Sequence, residues 1–315
     1  MKILLGTHYL NVPRGTETWT YTLATALERR GHEVHIVTYE QGYIADLLKQ
    51  MGIPIFPAGQ VITDYYELCI CNHNSIVRYL TGYKNKIGCL VCFIHGVAPT
   101  LEQPIPGADA YIAISREVKD YIERLGFKVA DILYNFVDLQ RFRPTTRIND
   151  RVRSIYYLSN YHTVIELLHG VCNKRGIALI TSAQHREQVG MFVEKIMDHV
   201  DVVVTLGRGI YESMAMGRAA FIGDRSLFIN EMWADGFATR ATFPESIKYN
   251  CNGKRYRVPF TAEFLESQID TLYCAQLGND SRLLAEEYLD VDKAIDRILR
   301  LADGQQVKVT HEKPI

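Results

Sequence analysis

Asp201–Gly217 reads DVVVTLGRGIYESMAMG, and the fold is decided here. Asp201–Leu206 is a short apolar run of the kind buried on both faces of a parallel sheet. Gly207-Arg208-Gly209 interrupts it, and a short helix over 210–216 is predicted to open at once. A strand running into a glycine turn and then a helix is half of a βαβ unit. The turn also suits an anion, because glycines let a ligand approach the backbone and first-turn N–H groups carry the positive end of the helix dipole. Arg208 adds a fork of donors matched to phosphate oxygens. Glu212 falls in the first helical turn, where a carboxylate can accept two ribose hydroxyls or simply compensate the dipole. Gly207-x-Gly209-x-x-Glu212 approaches the dinucleotide fingerprint. Its third glycine is absent and its strand comes late in the chain, which argues against a dehydrogenase.

Outward from this turn the alternation continues both ways. Upstream, strands are predicted at Ser154–Leu158 and Ile177–Thr181, with helices over 163–175 and 187–197. Downstream come a strand at Ala219–Ile222 and helices near 262–276, 281–289 and 291–302. In the last of these Val291, Ala294, Ile295, Ile298 and Ala302 make one apolar stripe. The first half repeats the theme: strands at Lys2–Leu5, Val34–Tyr39, Ile53–Phe56, Leu68–Cys71, Leu90–His95, Tyr111–Ile114 and Ile132–Tyr134. Helices fall at Glu17–Arg30, 43–50, 73–82 and 116–125, the last with Ser115 placed as its N-cap. Between the halves, Arg141–Arg153 carries five arginines, two threonines and Pro144 and reads as a linker. The expected architecture is α/β, with two doubly wound Rossmann-like domains facing across a cleft. Residues 1–150 form the first, 151–303 the second, and 304–315 a loose polar tail. A ligand should lie at the carboxyl ends of the strands.

Composition excludes other classes. Of 315 residues, 47% are hydrophobic, which is far too apolar for disorder. Lys+Arg and Asp+Glu number 15 and 15 in residues 1–150, and 20 and 21 in the remainder, so neither half is a polybasic module for nucleic acid or anionic membrane. No apolar run approaches a membrane span, the N-terminus lacks a signal-peptide core, and the seven cysteines are an odd number, so a reduced cytoplasmic protein is expected. Cys89 and Cys92 are three apart on a predicted strand and point to opposite faces, so they read as core residues and not as a redox pair.

Two further strand ends stand out. Asn11–Glu17 (NVPRGTE) follows the first strand and opens a helix, with Arg14, Gly15 and Thr16 at a phosphate-friendly terminus. His95-Gly96 ends a buried strand on the side of the sheet where ligands bind.

Taken in order, these pieces resemble the GT-B glycosyltransferases, in particular the large retaining group that includes glycogen synthase. Gly15-Thr16-Glu17 is similar to that family's glycine-rich loop and the Glu that opens its first helix. Gly31-His32-Glu33-Val34, Phe93-Ile94-His95-Gly96, Ala108–Ser115 (ADAYIAIS), Tyr134–Pro144 (YNFVDLQRFRP) and Tyr211–Ala220 (YESMAMGRAA) resemble further family motifs, from Met1 to about Leu301.

The resemblance implies transfer of a sugar from a nucleotide-diphospho-sugar donor, the donor being a substrate and no cofactor being required. Glu212 would hold the ribose hydroxyls, with Gly207, Arg208 and Gly209 near the diphosphate. Arg14, Gly15 and Thr16 would close over the phosphates, and catalytic His95 would contact the transferred sugar. The scheme requires no metal. Asp290-Val291-Asp292 has the DxD form of metal-dependent enzymes but sits at a helix start, where capping accounts for it. The sequence also departs from the family. The first of two glutamates eight apart would fall at Val204, and Leu158–Thr163 (LSNYHT) lacks the usual Arg and Lys, for which Arg14 and Arg208 are candidate substitutes. These departures leave two alternatives in view: a GT-B-like sugar-binding or scaffolding protein without catalysis, and a nucleotide-sugar epimerase. The acceptor is expected to be a glycan, a lipid-linked molecule or, at the Arg141–Arg153 strip, modified DNA, without stable membrane insertion.

Overall fold

Long runs of β-branched and aliphatic residues with no polar face can only be strands covered on both sides. The computed structural model, which describes residues 1–182, 191–225 and 231–302, places them in two sheets. The first contains β1 (Lys2–Leu10), β2 (Glu33–Gln41), β3 (Ile55–Pro57), β4 (Tyr66–Cys71), β5 (Ile87–Ile94), β6 (Ala110–Ala113) and β7 (Val129–Ile132). All seven are parallel, in the order β3-β2-β1-β4-β5-β6-β7. The order reverses between β1 and β4, and the crevice beyond their carboxyl ends is where a doubly wound sheet binds ligands.

The helices of this unit are α1 (Gly15–Arg29), α2 (Tyr43–Gln50), α3 (Asn74–Thr81) and α4 (Arg116–Arg124). Ser115 caps α4 as expected, its hydroxyl accepting from the Val118 N–H at 3.2 Å. Cys92 is buried and Cys89 half-buried along β5.

The second unit contains β8 (Ser154–Tyr157), β9 (Ala178–Thr181), β10 (Val202–Thr205), β11 (Ala219–Arg225), β12 (Met232–Phe237) and β13 (Val258–Pro259). The order is β13-β12-β11-β10-β8-β9. β9, β8, β10 and β11 are parallel, whereas β12 and β13 join antiparallel, an edge not anticipated from the sequence. Its helices are α5 (His162–Arg175), α6 (Val193–Met197), α7 (Arg208–Ala215), α8 (Phe243–Ser246), α9 (Ala262–Leu272) and α10 (Gln276–Tyr288). The start of the helix expected over 187–197 and the tail over 304–315 lie outside the described residues.

Two boundaries differ from expectation. The first unit is Met1–Tyr134 together with α11 (Val291–Ala302), and the second is Asn135–Asp290, so the division falls at 134/135 and not at 141–153. The arginine-rich segment is fastened to the second sheet by buried carboxylates. Asp198 Oδ1 accepts from the Thr145 N–H at 2.9 Å, and Asp201 accepts from the N–H groups of Asn149, Arg153 and Ser154 at 2.8, 2.7 and 3.1 Å. Arg218, 1% exposed, donates to the carbonyls of Met216, Thr146, Asp198 and Val200. Helix α11 belongs to the first unit because Arg297 forks onto Asp131 at 2.6 and 3.0 Å and Asp292 pairs with Arg29 at 3.1 Å. Asp292 of the DxD-like triplet therefore closes an ion pair with α1. Among the described residues no helix is long and apolar enough to cross a membrane.

Candidate functional site

In the second unit the candidate residues meet where β10 hands over to α7. Gly207 turns the chain with φ +58°, and its N–H donates to the Cys251 carbonyl at 3.1 Å. Asn250 and Cys251 are themselves held at positive φ, 53° and 47°, a conformation that side chains adopt at a cost. Asn250 Oδ1 accepts from the Tyr211 hydroxyl at 3.0 Å and from Asn135 Nδ2 at 3.2 Å, which ties the 250 loop to α7.

Arg208 Nε donates to Glu212 Oε1 at 2.8 Å, and its Nη1 donates to the Phe136 carbonyl at 3.3 Å. The pair is nearly buried. Burial pushes the Glu212 carboxyl above the usual carboxylate range, while the charges of Arg208 and then Arg141 pull it back. Arg208 thus orients Glu212 and offsets its charge. A carboxylate has about four acceptor positions, so this pairing leaves Glu212 capacity for hydroxyl donors.

Gly209 has a steric role in the packing of α7. A Cβ there would stand 2.8 and 2.9 Å from Thr205 Cγ2 and Oγ1 and 3.0 Å from Leu158 Cδ2. The glycine lets α7 pack directly on β10 and the chain leaving β8. Val204 is fully buried in β10, so a glutamate at that position would lie in the sheet.

The first unit gathers the other candidates. Arg14 is the exposed, extended N-cap of α1, without a side-chain cap bond, and a Cβ on Gly15 would meet nothing within 4 Å. Thr16 Oγ1 donates to Glu17 Oε2 at 3.0 Å; Glu17 is buried, and burial raises its pKa. His95 follows β5, with the Trp19 ring edge-on at 5.1 Å.

A relay links His95 to α1. Thr20 Oγ1 donates to the Thr16 carbonyl at 2.8 Å and therefore accepts from Asn72 Nδ2 at 2.9 Å. Asn72 Oδ1 is left as the acceptor for His95 Nε2 at 2.9 Å, which places a proton on that nitrogen.

Three residues here escaped sequence reading. Asn72 and His73 follow β4 as Asn72-His73-Asn74, and a polar triplet at a strand end was the available signal. His73 Nδ1 accepts from the His8 N–H at 3.0 Å, and Thr7 Oγ1 lies 3.2 Å away. Burial, with the adjacent His8, lowers His73 to about 4, so it is neutral at physiological pH. Rings of His8, Tyr9, Tyr39 and His73 cluster at the ends of β1, β2 and β4 with centroids 4.4 to 6.4 Å apart. The third residue, Glu102, lies in a stretch with no motif at all.

No protein-family model matches the sequence, and no curated protein aligns with it. Solved structures do. HepE of Anabaena, determined with UDP and glucose, is 15% identical over 96% of this chain and 99% of its own, with a TM-score of 0.64. MurG of Acinetobacter baumannii is 12% identical over 95% of this chain and 99% of its own, at a TM-score of 0.57. An alpha-glucosyltransferase bound to UDP and a 13-mer DNA containing an HMU base is 10% identical over 96% and 99%, at 0.58. At these identities the likeness shows the fold, and the chain has the two-unit α/β architecture of GT-B proteins.

Proposed function

We propose that the chain is a glycosyltransferase that takes a sugar from a nucleotide-diphospho-sugar. The observation that carries this reading is the nearly buried Glu212, which lies one turn into the helix that opens at Gly207 and is held by Arg208 from the first turn. Its remaining acceptor positions suit the paired hydroxyls of a ribose, and the first-turn N–H groups of α7 suit the adjoining diphosphate. UDP is the first nucleotide to try, because HepE and the DNA-bound alpha-glucosyltransferase were both determined with it.

His95, beside the first turn of α1, is assigned to the transferred sugar, with Arg14, Gly15 and Thr16 assigned to its phosphates. The leaving nucleoside diphosphate gains negative charge as the glycosidic bond breaks, and fixed dipoles and arginines stabilise it; no metal is part of this proposal. The first unit receives the acceptor. Its imidazole rings and tyrosines offer flat faces and hydroxyl partners, which supports a glycan as the acceptor. A cytoplasmic location belongs to the same proposal.

Titration calorimetry with UDP, ADP, GDP and their glucose conjugates tests the reading. Binding of one nucleotide that is lost in Glu212→Gln is the expected result; no binding of any of them overturns it. The buried Val204, where the resembled family carries a glutamate, favours one rival, a sugar-binding protein without catalysis. Slow release of free glucose from a bound donor would exclude that rival.

A further inference from the structure

After β5 the chain passes His95-Gly96 and turns back through a single 3-10 turn, Thr100–Glu102. The turn is pinned from several sides. Asn74 Nδ2 donates to the carbonyls of Thr100 and Gln103 at 2.8 and 3.1 Å, and Gln103 Nε2 donates to those of Val97 and Pro99 at 3.1 Å each. The Tyr121 hydroxyl donates to Gln103 Oε1 from α4.

This fixed turn folds Glu102 onto the backbone next to His95. A Cβ on Gly96 would stand 2.7 Å from Glu102 Oε2, so glycine at 96 is what admits the carboxylate. The charged group acting on it is Glu17 from α1, with Arg14 acting in turn on Glu17. Among the described residues no side chain donates a hydrogen bond to the Glu102 carboxylate. Burial first, and then the Glu17 charge, raise Glu102 to about 7. A partly buried carboxylate that feels the charge of another carboxylate destabilises the fold, and such arrangements collect at working sites.

We propose that Glu102 is the base that takes the proton from the acceptor hydroxyl. The inference rests on the glycosyltransferase reading. In the step, the acceptor oxygen bonds to the anomeric carbon, and the bond from that carbon to the diphosphate oxygen breaks. The electron pair leaves on the nucleoside diphosphate, and the hydroxyl proton passes to Glu102 and later to water. Glu17 is a positioning residue in the electrostatic sense: its charge keeps the proton affinity of Glu102 near neutral pH.

The test uses UDP-glucose with water as acceptor, UDP binding by calorimetry, and titration of isotope-labelled glutamate carboxyls by NMR. Glu102→Gln should bind UDP within about twofold of the parent and lose about a hundredfold or more in turnover, the scale of general-base catalysis. The ascending limb of the parent's pH–rate profile, with its midpoint near 7, should vanish in that variant. In Glu17→Gln it should move to lower pH together with the Glu102 carboxyl titration.

Unchanged turnover and an unchanged limb in Glu102→Gln would overturn the assignment while leaving the transferase reading intact. Failure of the parent to bind UDP or any other nucleotide would remove both. Uptake of solvent deuterium into the donor's sugar ring would also overturn it, by assigning the carboxylates to epimerisation.

Discussion

Arg208 and Glu212 lie one helical turn apart on α7 and close an ion pair at 2.8 Å, with side chains only 13% and 11% exposed. Removing one partner of a buried pair leaves the other uncompensated, at a cost of about 3–5 kcal/mol. Glu212→Ala should therefore lower the melting temperature as well as abolish nucleotide binding, and binding data alone would mislead. Glu212→Gln keeps the volume and one acceptor for Arg208. It should melt above Glu212→Ala, though below the parent because the Arg208 charge is left uncompensated, and lose at least tenfold in nucleotide affinity. An equal loss of stability in both variants would mean that the charge serves the fold alone.

Gly209 makes a second, purely steric prediction. A methyl group there meets both branches of Thr205 within 2.9 Å, and the Thr205 hydroxyl is already committed to the Leu158 carbonyl at 2.9 Å. Gly209→Ala should destabilise by about 1–3 kcal/mol, the usual cost of overpacking. Thr205→Ala removes both clashing atoms, so the double variant should recover part of that loss in urea denaturation. Additive losses would show that the glycine is needed for some other reason.

The two sheets were legible in the sequence because parallel strands are apolar on both faces, and Leu90–His95 or Asp201–Leu206 can hardly be anything else. The division at 134/135 was not. Arg141–Arg153 looks like a solvated linker until Asp198 and Asp201, about fifty residues away in sequence, are seen holding its N–H groups. Local pattern carries no trace of such a partner. The site divides the same way. His95 sits beside a glycine at a strand end, and Glu212 lies one turn into the helix that follows a glycine turn, places where topology gives a residue meaning. Glu102 acquires its meaning only from a turn that brings it back to Gly96. The packing role of Gly209 against Thr205 was not legible, because sequence cannot tell space left for a ligand from space filled by a threonine.

Asp201 should be a fold residue with no bearing on chemistry. It is 1% exposed and accepts from three backbone N–H groups and from Asn149 Nδ2 at 2.9 Å. Bonds to a charged acceptor contribute about 1.5–3 kcal/mol each, and donors left unsatisfied cost more. Asp201→Ala should lower the urea midpoint strongly and speed hydrogen exchange at Asn149, Arg153 and Ser154. Nucleotide affinity, measured below the unfolding transition, should stay within about threefold of the parent.

His73 makes the fold sensitive to acid. Its ring is neutral because burial lowers it from 6.5 to about 4, and Nδ1 must remain unprotonated to accept from the His8 N–H. In the unfolded chain the same ring binds a proton near its ordinary pKa. Above that value the two states hold equal numbers of protons and the contribution of His73 is intact. As the pH falls from about 6.5 toward 4, the unfolded state gains a proton that the folded state refuses, and stability drops. Between pH 7 and 5 the loss assignable to His73 should be about 2 kcal/mol. His73→Asn offers an uncharged oxygen to the same N–H and cannot titrate. His32 and His35, also lowered mainly by burial, contribute in both proteins and cancel in the comparison. Urea denaturation at the two pH values should therefore show a steeper loss in the parent than in His73→Asn. Parallel losses would mean that His73 is protonated in the folded chain and that its Nδ1 does not accept from the His8 N–H.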